Sequence, residues 1–352
     1  MSRLYSDVLK GLEPYTPGEQ LNDKRYIKLN TNENPYPPSK KVIDSIKEFA
    51  NSDLRLYPDP KARILTDALS EKYSVEAKNI FIGNGSDEVL AMAFDAFYAK
   101  KQVAFPELTY SFYPVYCSLF DIDAVKVKMK DRFAIDKEAL LSLDMGKAFA
   151  NPNAPTGELI EREYIISLLE KNKDDVMLID EAYMDFADHD ESMIPYIRQF
   201  DNLLVVRTFS KSYSLAGMRI GYAIGNEELI KGLEMVKNSF NSYPVDRIAQ
   251  AAGTEAVKDR AYFDDINTRV VKTRKRTAKV LKDMGCAVLP SESNFLLVSF
   301  KGYTSLEIYT KFREKGILIR QFRSMKDHVR ISIGTDEDMD TLLRYAKEIL
   351  TK

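Results

Sequence analysis

Through the first two thirds of the chain, short runs of consecutive apolar residues alternate with longer segments in which apolar positions recur every three or four residues. The runs are Ile80–Ile82, Val103–Phe105, Ala148–Ala150, Val176–Ile179, Leu203–Val206 and Ile220–Ile224, and the amphipathic segments between them include Asp87–Ala99 and Glu161–Lys171. Strands that are apolar throughout are buried on both faces, as in a mostly parallel sheet covered by helices. The alternation therefore predicts an open α/β sheet. Ligands of such sheets sit beyond the carboxyl ends of the strands, so the residues just after each run are the first candidates for chemistry.

The pattern changes near Gly225. The segment from Glu227 to about Lys282 reads as mostly helical, with a break near Ser242–Pro244, where proline disfavours a continuous helix. Ala287–Leu289, Phe295–Phe300, Ile317–Ile319 and Val329–Ile333 read as short strands, and Thr304–Lys315 and Thr335–Leu350 as helices. This is the pattern of a smaller α+β domain. The start of the chain carries Pro14, Pro17, Pro35, Pro37 and Pro38 and is expected to run extended over the surface.

A length of 352 residues allows about two domains, and the 45% hydrophobic and 30% charged residues are those of an ordinary globular protein. With 51 basic against 53 acidic residues, the chain lacks the basic footprint of a nucleic-acid binder. The longest nearly apolar stretch, Val89 to Ala99, contains Asp95 and is far too short for a bilayer span. The first residues have no apolar signal-peptide core, so a cytoplasmic protein is expected. Cys117 and Cys286 lie far apart, and His189 and His328 are the only histidines. No metal-ligand spacing occurs, and nucleophilic triads that need histidine are poorly supplied. An enzyme of this composition is expected to draw its chemistry from a cofactor.

Four segments after predicted strands stand out. Gly83-Asn84-Gly85-Ser86-Asp87-Glu88 opens a helix, and free N–H groups there suit an anion such as a phosphate. The alternative is a tight turn with Ser86 or Asp87 as N-cap. Asn151-Pro152-Asn153-Ala154-Pro155-Thr156-Gly157 makes a rigid polar turn. Asp180 ends a strand, with Tyr183 three residues on; its carboxylate suits a cationic ring nitrogen, or else simply caps a turn. Ser210-Lys211 follows the strand at 203–206 and precedes Arg219. A lysine there is placed for covalent carbonyl chemistry, while a solvated surface lysine is the plain alternative.

Taken as an ordered set, NPNAPTG, D-x-x-Y, S-K and Arg219 resemble the fold-type I pyridoxal-phosphate aminotransferases. Asn153 precedes Asp180 by 27 residues, Lys211 follows Asp180 by 31, and Arg219 follows Lys211 by 8. Within that family the chain is most similar to the histidinol-phosphate aminotransferases. The matching segments are PYTPG at Pro14, LNTNENP at Leu29, LYPDP at Leu56, Tyr110-Ser111-x-Tyr113, Ile319-Arg320 and Val329–Gly334. One departure is Ala154, where many relatives carry a second asparagine.

The resemblance implies a large domain over 30–245 with a mostly parallel seven-stranded sheet, and a smaller α+β part formed by 1–29 and 246–352. It implies pyridoxal 5'-phosphate as cofactor, with Lys211 as covalent anchor and proton carrier and Asp180 on the ring nitrogen. Asn153 and Tyr183 are then expected at the ring's phenolic oxygen and Tyr110 on the ring face. Arg219, Ser210 and the backbone of Gly85, Ser86 and Asp87 are expected at the phosphate, with Tyr57 reaching it from a second subunit of a homodimer. Arg330, Arg320, Tyr15 and Asn32 are expected around the substrates, histidinol phosphate and glutamate or 2-oxoglutarate. Rival expectations are an aromatic amino-acid aminotransferase, a threonine-phosphate decarboxylase, and a cofactor-binding regulatory module without turnover.

Overall fold

The computed structural model describes residues 3–20 and 26–351. Its strands are β1 (Ile27–Leu29), β2 (Ile80–Gly83), β3 (Gln102–Pro106), β4 (Asp123–Val127), β5 (Gly146–Ala150), β6 (Met177–Asp180), β7 (Leu203–Thr208), β8 (Gly221–Gly225), β9 (Ala287–Val288), β10 (Phe295–Ser299), β11 (Ile317–Gln321) and β12 (His328–Ser332). Seven of them form one sheet in the order β2-β8-β7-β6-β5-β3-β4, and five form a second in the order β1-β11-β12-β10-β9.

The seven-stranded sheet is parallel except for β8, which runs antiparallel to both β7 and β2. All residues of β2, β5, β6, β7 and β8 are buried, as their unbroken apolar runs require. Fully burying one such Val, Leu or Ile contributes about 1.5–3 kcal/mol relative to exposure. One face packs Leu65, Leu69, Phe149, Ile179, Val205 and Ile224, and the other Leu90, Phe94, Phe105, Leu178 and Val206. The alternation of Ile179 and Leu178, and of Val205 and Val206, between two cores is the two-residue period of a strand covered on both sides.

Apolar spacing alone does not reveal β4, because Asp123-Ala124-Val125-Lys126-Val127 is a half-exposed edge strand. The long helical region breaks twice, giving Arg247–Lys258 and Arg260–Asp283 after Glu227–Phe240. The second break, at Asp259, has no proline to signal it. Helix Arg247–Lys258 packs Ala249, Ala252 and Ala256 into the core beneath the large sheet.

The five-stranded sheet packs Leu296, Val298, Ile317, Ile319, Ile331 and Ile333 against Ile266 and Val270 of helix Arg260–Asp283, and against Leu342 and Ala346 of helix Asp336–Leu350. Helices Ser305–Glu314 and Asp336–Leu350 both open with a capping box, from Thr304 with Glu307 and from Thr335 with Asp338.

The proline-rich start follows expectation at Pro14, Pro17 and Pro37, which are exposed, and departs from it between residues 27 and 36. Residues 11–20 have no regular structure, but β1 then joins the small sheet beside β11, and Leu29, Asn30, Asn32 and Tyr36 are buried. The segment therefore threads between the two sheets. Its polar residues make this possible by bonding inward: Asn32 donates to Tyr183, and Asn294 donates to the Asn32 carbonyl.

Candidate active site

The carboxyl ends of β5, β6 and β7 and the start of helix Ser86–Tyr98 surround a cavity of about 440 Å³. Lys211, Asp180, Tyr183, Ser210, Arg219, Ser86, Asp87, Tyr110 and Tyr15 line it. A smaller cavity of about 100 Å³ adjoins it, sharing Tyr15, Tyr110, Tyr183 and Lys211 and adding Asn32, Phe322, Arg320 and Arg330. Residues 180 positions apart in the chain meet here, because the 30–34 segment crosses the strand ends.

Asp180 is buried at the end of β6. Burial raises its pKa from 3.8 to about 7, against the hydrogen bonds donated by the Ala182 N–H at 3.1 Å and the Tyr113 hydroxyl at 3.2 Å. No lysine or arginine pairs with it among the described residues. Its carboxylate thus lines the cavity with an unmet preference for a cationic N–H donor.

Lys211 lies three residues beyond β7, and its Nζ donates to the Thr31 carbonyl at 3.1 Å. It sits 5.8 Å from the centroid of the Tyr183 ring. The Tyr183 hydroxyl accepts a hydrogen bond from Asn32 Nδ2 at 2.9 Å, and its ring stands edge-on to Phe295. Asn32 is held in turn by Ser332, whose hydroxyl donates to Asn32 Oδ1 at 2.8 Å.

The turn before helix Ser86–Tyr98 is as tight as its glycines allow. Gly85 has φ +82°, and a Cβ there would lie 2.4 Å from Arg219 Nη2. A Cβ on Gly221 of β8 would lie 2.3 Å from the Ser86 nitrogen. The N–H groups of Ser86 and Asp87 open the helix and have no partner within it. Arg219 approaches Ser210 Oγ and Asp87 Oδ2, both at 3.5 Å. Asp87 Oδ1 accepts from the Tyr110 hydroxyl at 2.6 Å and so orients that ring beside the cavity. The Ser210 hydroxyl, the Arg219 guanidinium and free helix N–H groups thus converge beside the Asp87 carboxylate, and the first three are the donor set of an anion site.

Arg320 and Arg330 are directly opposite each other on β11 and β12. Like charges so placed repel. Both lie over the ring of Phe322, with guanidinium carbons 5.6 and 5.4 Å from its centroid. Their polar contacts are backbone carbonyls, Thr16 for Arg320 at 3.0 Å and Asn30 for Arg330 at 3.2 Å. Neither has a carboxylate partner among the described residues, and burial pushes the Arg330 pKa down. The Tyr15 ring lies tilted against Phe112, with centroids 4.4 Å apart, and stands beside Arg320.

Two expected residues lie elsewhere. Asn153 is fully buried but does not line the cavity; its Nδ2 donates to the Leu108 carbonyl and to Thr156 Oγ1, both at 3.0 Å, and its Oδ1 has no partner. Tyr57 is 79% exposed and stacks on Tyr243 at 4.7 Å, away from the cavity.

The geometry adds Tyr113, Thr31 and Phe322, which sequence reasoning did not assign. Tyr113 had a signal, since it follows Tyr110 by three residues in the segment Tyr110-Ser111-x-Tyr113. Thr31 contributes a carbonyl, which no side-chain pattern reveals. A larger cavity of about 720 Å³, lined by Lys72, Tyr73, Asp185, Arg207 and Phe263 among others, shares no lining residue with these two.

The chain is similar along nearly its whole length to known proteins. Residues 24–345 match the family described as aminotransferase class I and II. A histidinol-phosphate aminotransferase of Brachyspira hyodysenteriae is 50% identical over 353 residues, covering 99% of each chain. One of Chromohalobacter salexigens is 50% identical over 352 residues, again covering 99% of each. The solved histidinol-phosphate aminotransferase from Sinorhizobium meliloti in complex with pyridoxal-5'-phosphate superposes with a TM-score of 0.87 at 25% identity, covering 100% of this chain and 98% of that one.

Proposed function

Since the chain belongs to the class I and II aminotransferases, we propose that it uses pyridoxal 5'-phosphate to move an amino group between L-histidinol phosphate and 2-oxoglutarate. The products are imidazole acetol phosphate and glutamate, a step of histidine biosynthesis. The observation that carries the reading is that an amine, a buried carboxylate without a cation and an anion cradle line one cavity. The cofactor needs those three groups: a lysine to hold its carbonyl carbon, an acid for its ring nitrogen and donors for its phosphate.

The residues present fit it. Asp180 would hold the ring N–H, and burial would strengthen that contact. Ser210, Arg219 and the N–H groups of Ser86 and Asp87 would bind the phosphate, with Gly85 leaving room for it. Tyr183 would donate to the phenolic oxygen, and Tyr110 would lie along the ring. Asn153 would instead stiffen the turn beside the site, its Nδ2 held by the Leu108 carbonyl and Thr156 Oγ1. When bound, the cofactor supplies an electron sink for the carbon that loses its proton. Lys211 Nζ would accept that proton from the substrate carbon and hold it for return. The Thr31 carbonyl and the Tyr183 ring flank the amine and would keep it at the cavity wall.

Arg320 and Arg330 would bind the phosphate of histidinol phosphate in one half-reaction and a carboxylate of 2-oxoglutarate or glutamate in the other. An anion between them removes the repulsion of two facing guanidiniums, and the fork of each matches either group. Tyr15 and Asn32 would close the same end of the cleft. Tyr57 faces outward, and exposed Leu54, Leu56, Phe240 and Tyr243 accompany it. In the proposed homodimer, which we place in the cytoplasm, this surface meets the partner and Tyr57 completes the partner's phosphate site.

The test is an assay of purified protein with histidinol phosphate and 2-oxoglutarate, following glutamate. Turnover with ping-pong kinetics is expected. Preferential activity on phenylalanine, or CO₂ release from threonine phosphate without a keto acid, would contradict the substrate reading.

A further inference from the structure

On the side away from the cleft, four charged groups are gathered behind the strand ends. Glu181 follows Asp180, and neighbouring residues of an extended chain face opposite ways. The Glu181 carboxylate accepts from Arg207 Nη2 at 2.7 Å and Nε at 3.0 Å, from Ser192 Oγ at 2.8 Å and from the Met193 N–H at 2.7 Å. Arg207 Nη1 donates to Asp185 Oδ1 at 2.9 Å. Lys72 is hydrogen-bonded to the Tyr213 hydroxyl and lies 4.4 Å from the centroid of the Phe263 ring. Two cations thus balance two anions.

Buried ion clusters add little stability over apolar packing of the same volume, but they fix direction, which apolar contacts do not. The direction fixed here leads to Lys211. Asp185 Oδ2 accepts a 2.6 Å hydrogen bond from Ser212 Oγ, and Ser212 adjoins the lysine. The carbonyl of Ser212 accepts from Asn267 Nδ2 at 3.2 Å, and Asn267 belongs to the long helix Arg260–Asp283. The turn bearing the lysine is therefore tied at one residue from two sides.

We propose that Asp185 and Ser212 are positioning residues: Asp185, oriented by Arg207, grips the Ser212 hydroxyl and so holds the turn that aims Lys211 Nζ into the cleft. The inference rests on the role given to Lys211 above. Neither residue lines the cavity that holds the reacting groups, so neither acts on them directly.

Ser212→Ala removes the grip and leaves the four charges in place. Ser212→Cys is nearly isosteric but a weaker donor, and it serves should the alanine variant fail to fold. The first readout needs no cofactor: the rate at which an N-hydroxysuccinimide ester acylates Lys211 in the apoprotein at fixed pH, followed by peptide mass spectrometry. Ser212→Ala is expected to raise that rate about tenfold, because a loosened turn opens more often, with Ser212→Cys in between. In the holoenzyme kcat is expected to fall about tenfold, since a displaced proton carrier slows the chemistry. KM for histidinol phosphate, set by the two arginines, is expected to stay within about twofold. Labelling and kcat within twofold of the parent, in a folded variant, would overturn the inference. A parent protein that carries no cofactor on Lys211 would instead refute the functional reading, while the labelling comparison would still decide the geometry.

Discussion

On the role proposed for Asp180, a buried carboxylate at the end of β6, its replacement by asparagine is expected to raise stability and lower activity. In the apoprotein, Asp180 binds its proton more tightly when folded than when unfolded. The folded chain therefore carries an extra proton between the unfolded value and about 7, and stability falls as pH rises through that window. At about 1.4 kcal/mol for each pH unit, the rise from 3.8 to about 7 makes the bare carboxylate cost ~4 kcal/mol above pH 7. Asparagine has nearly the same shape, still accepts from the Ala182 N–H and carries no charge. The Asp180→Asn apoprotein is thus expected to be more stable than the parent at pH 8, by an amount of that order, and close to it near pH 4. Transamination is expected to move the other way. Losing a buried partner of a cationic nitrogen costs about 3–5 kcal/mol, or roughly 10²–10³-fold or more in kcat. Urea unfolding of the two apoproteins at pH 4 and 8, with initial rates of the holoenzymes, makes the comparison. An asparagine variant less stable than the parent at pH 8, or one that keeps more than a tenth of the activity, would refute the reasoning.

Further substitutions probe the other walls. Arg330→Met is expected to raise KM for both histidinol phosphate and 2-oxoglutarate roughly 10–100-fold, the loss of about 1.5–3 kcal/mol from a charged hydrogen bond. Its bound-cofactor absorbance should match the parent's, and a KM change for one substrate only would argue against a shared anion site. Gly85→Ala puts a Cβ 2.4 Å from Arg219 at φ +82°. At about 1–3 kcal/mol of strain, it should weaken cofactor affinity at least several-fold in a fluorescence titration. Tyr57→Phe keeps the stack on Tyr243 but removes the hydroxyl, so cofactor affinity should fall about fivefold while sedimentation still reports a dimer. A monomeric parent would remove the basis of that expectation.

Much of the fold was legible because β2, β5, β6, β7 and β8 are covered on both sides, which forces unbroken apolar runs. The edge strand β4 was not, since half of its side chains face solvent and its alternation includes charges. The break at Asp259 was hidden for another reason: the chain turns there without proline or glycine, and both flanking helices have good helical sequences. The burial of Asn30 and Asn32 was also out of reach, because a polar residue becomes a core residue only when distant partners such as Ser332 and Asn294 are supplied by the tertiary fold.

Of the site, topology drew attention to the strand ends where Asp180 and Lys211 lie, and only the family resemblance of the ordered motifs gave those residues roles. Local spacing did not show that Arg320 and Arg330 face each other across a strand pair without carboxylates. That juxtaposition depends on the register of β11 against β12.

The account stands on a single nitrogen atom. Treating freshly isolated protein with borohydride should fix the cofactor in place, and digestion followed by mass spectrometry should find the reduced pyridoxyl-phosphate adduct on Lys211. An adduct on a different lysine, or Lys211 recovered unmodified from protein that had bound the cofactor, would contradict it.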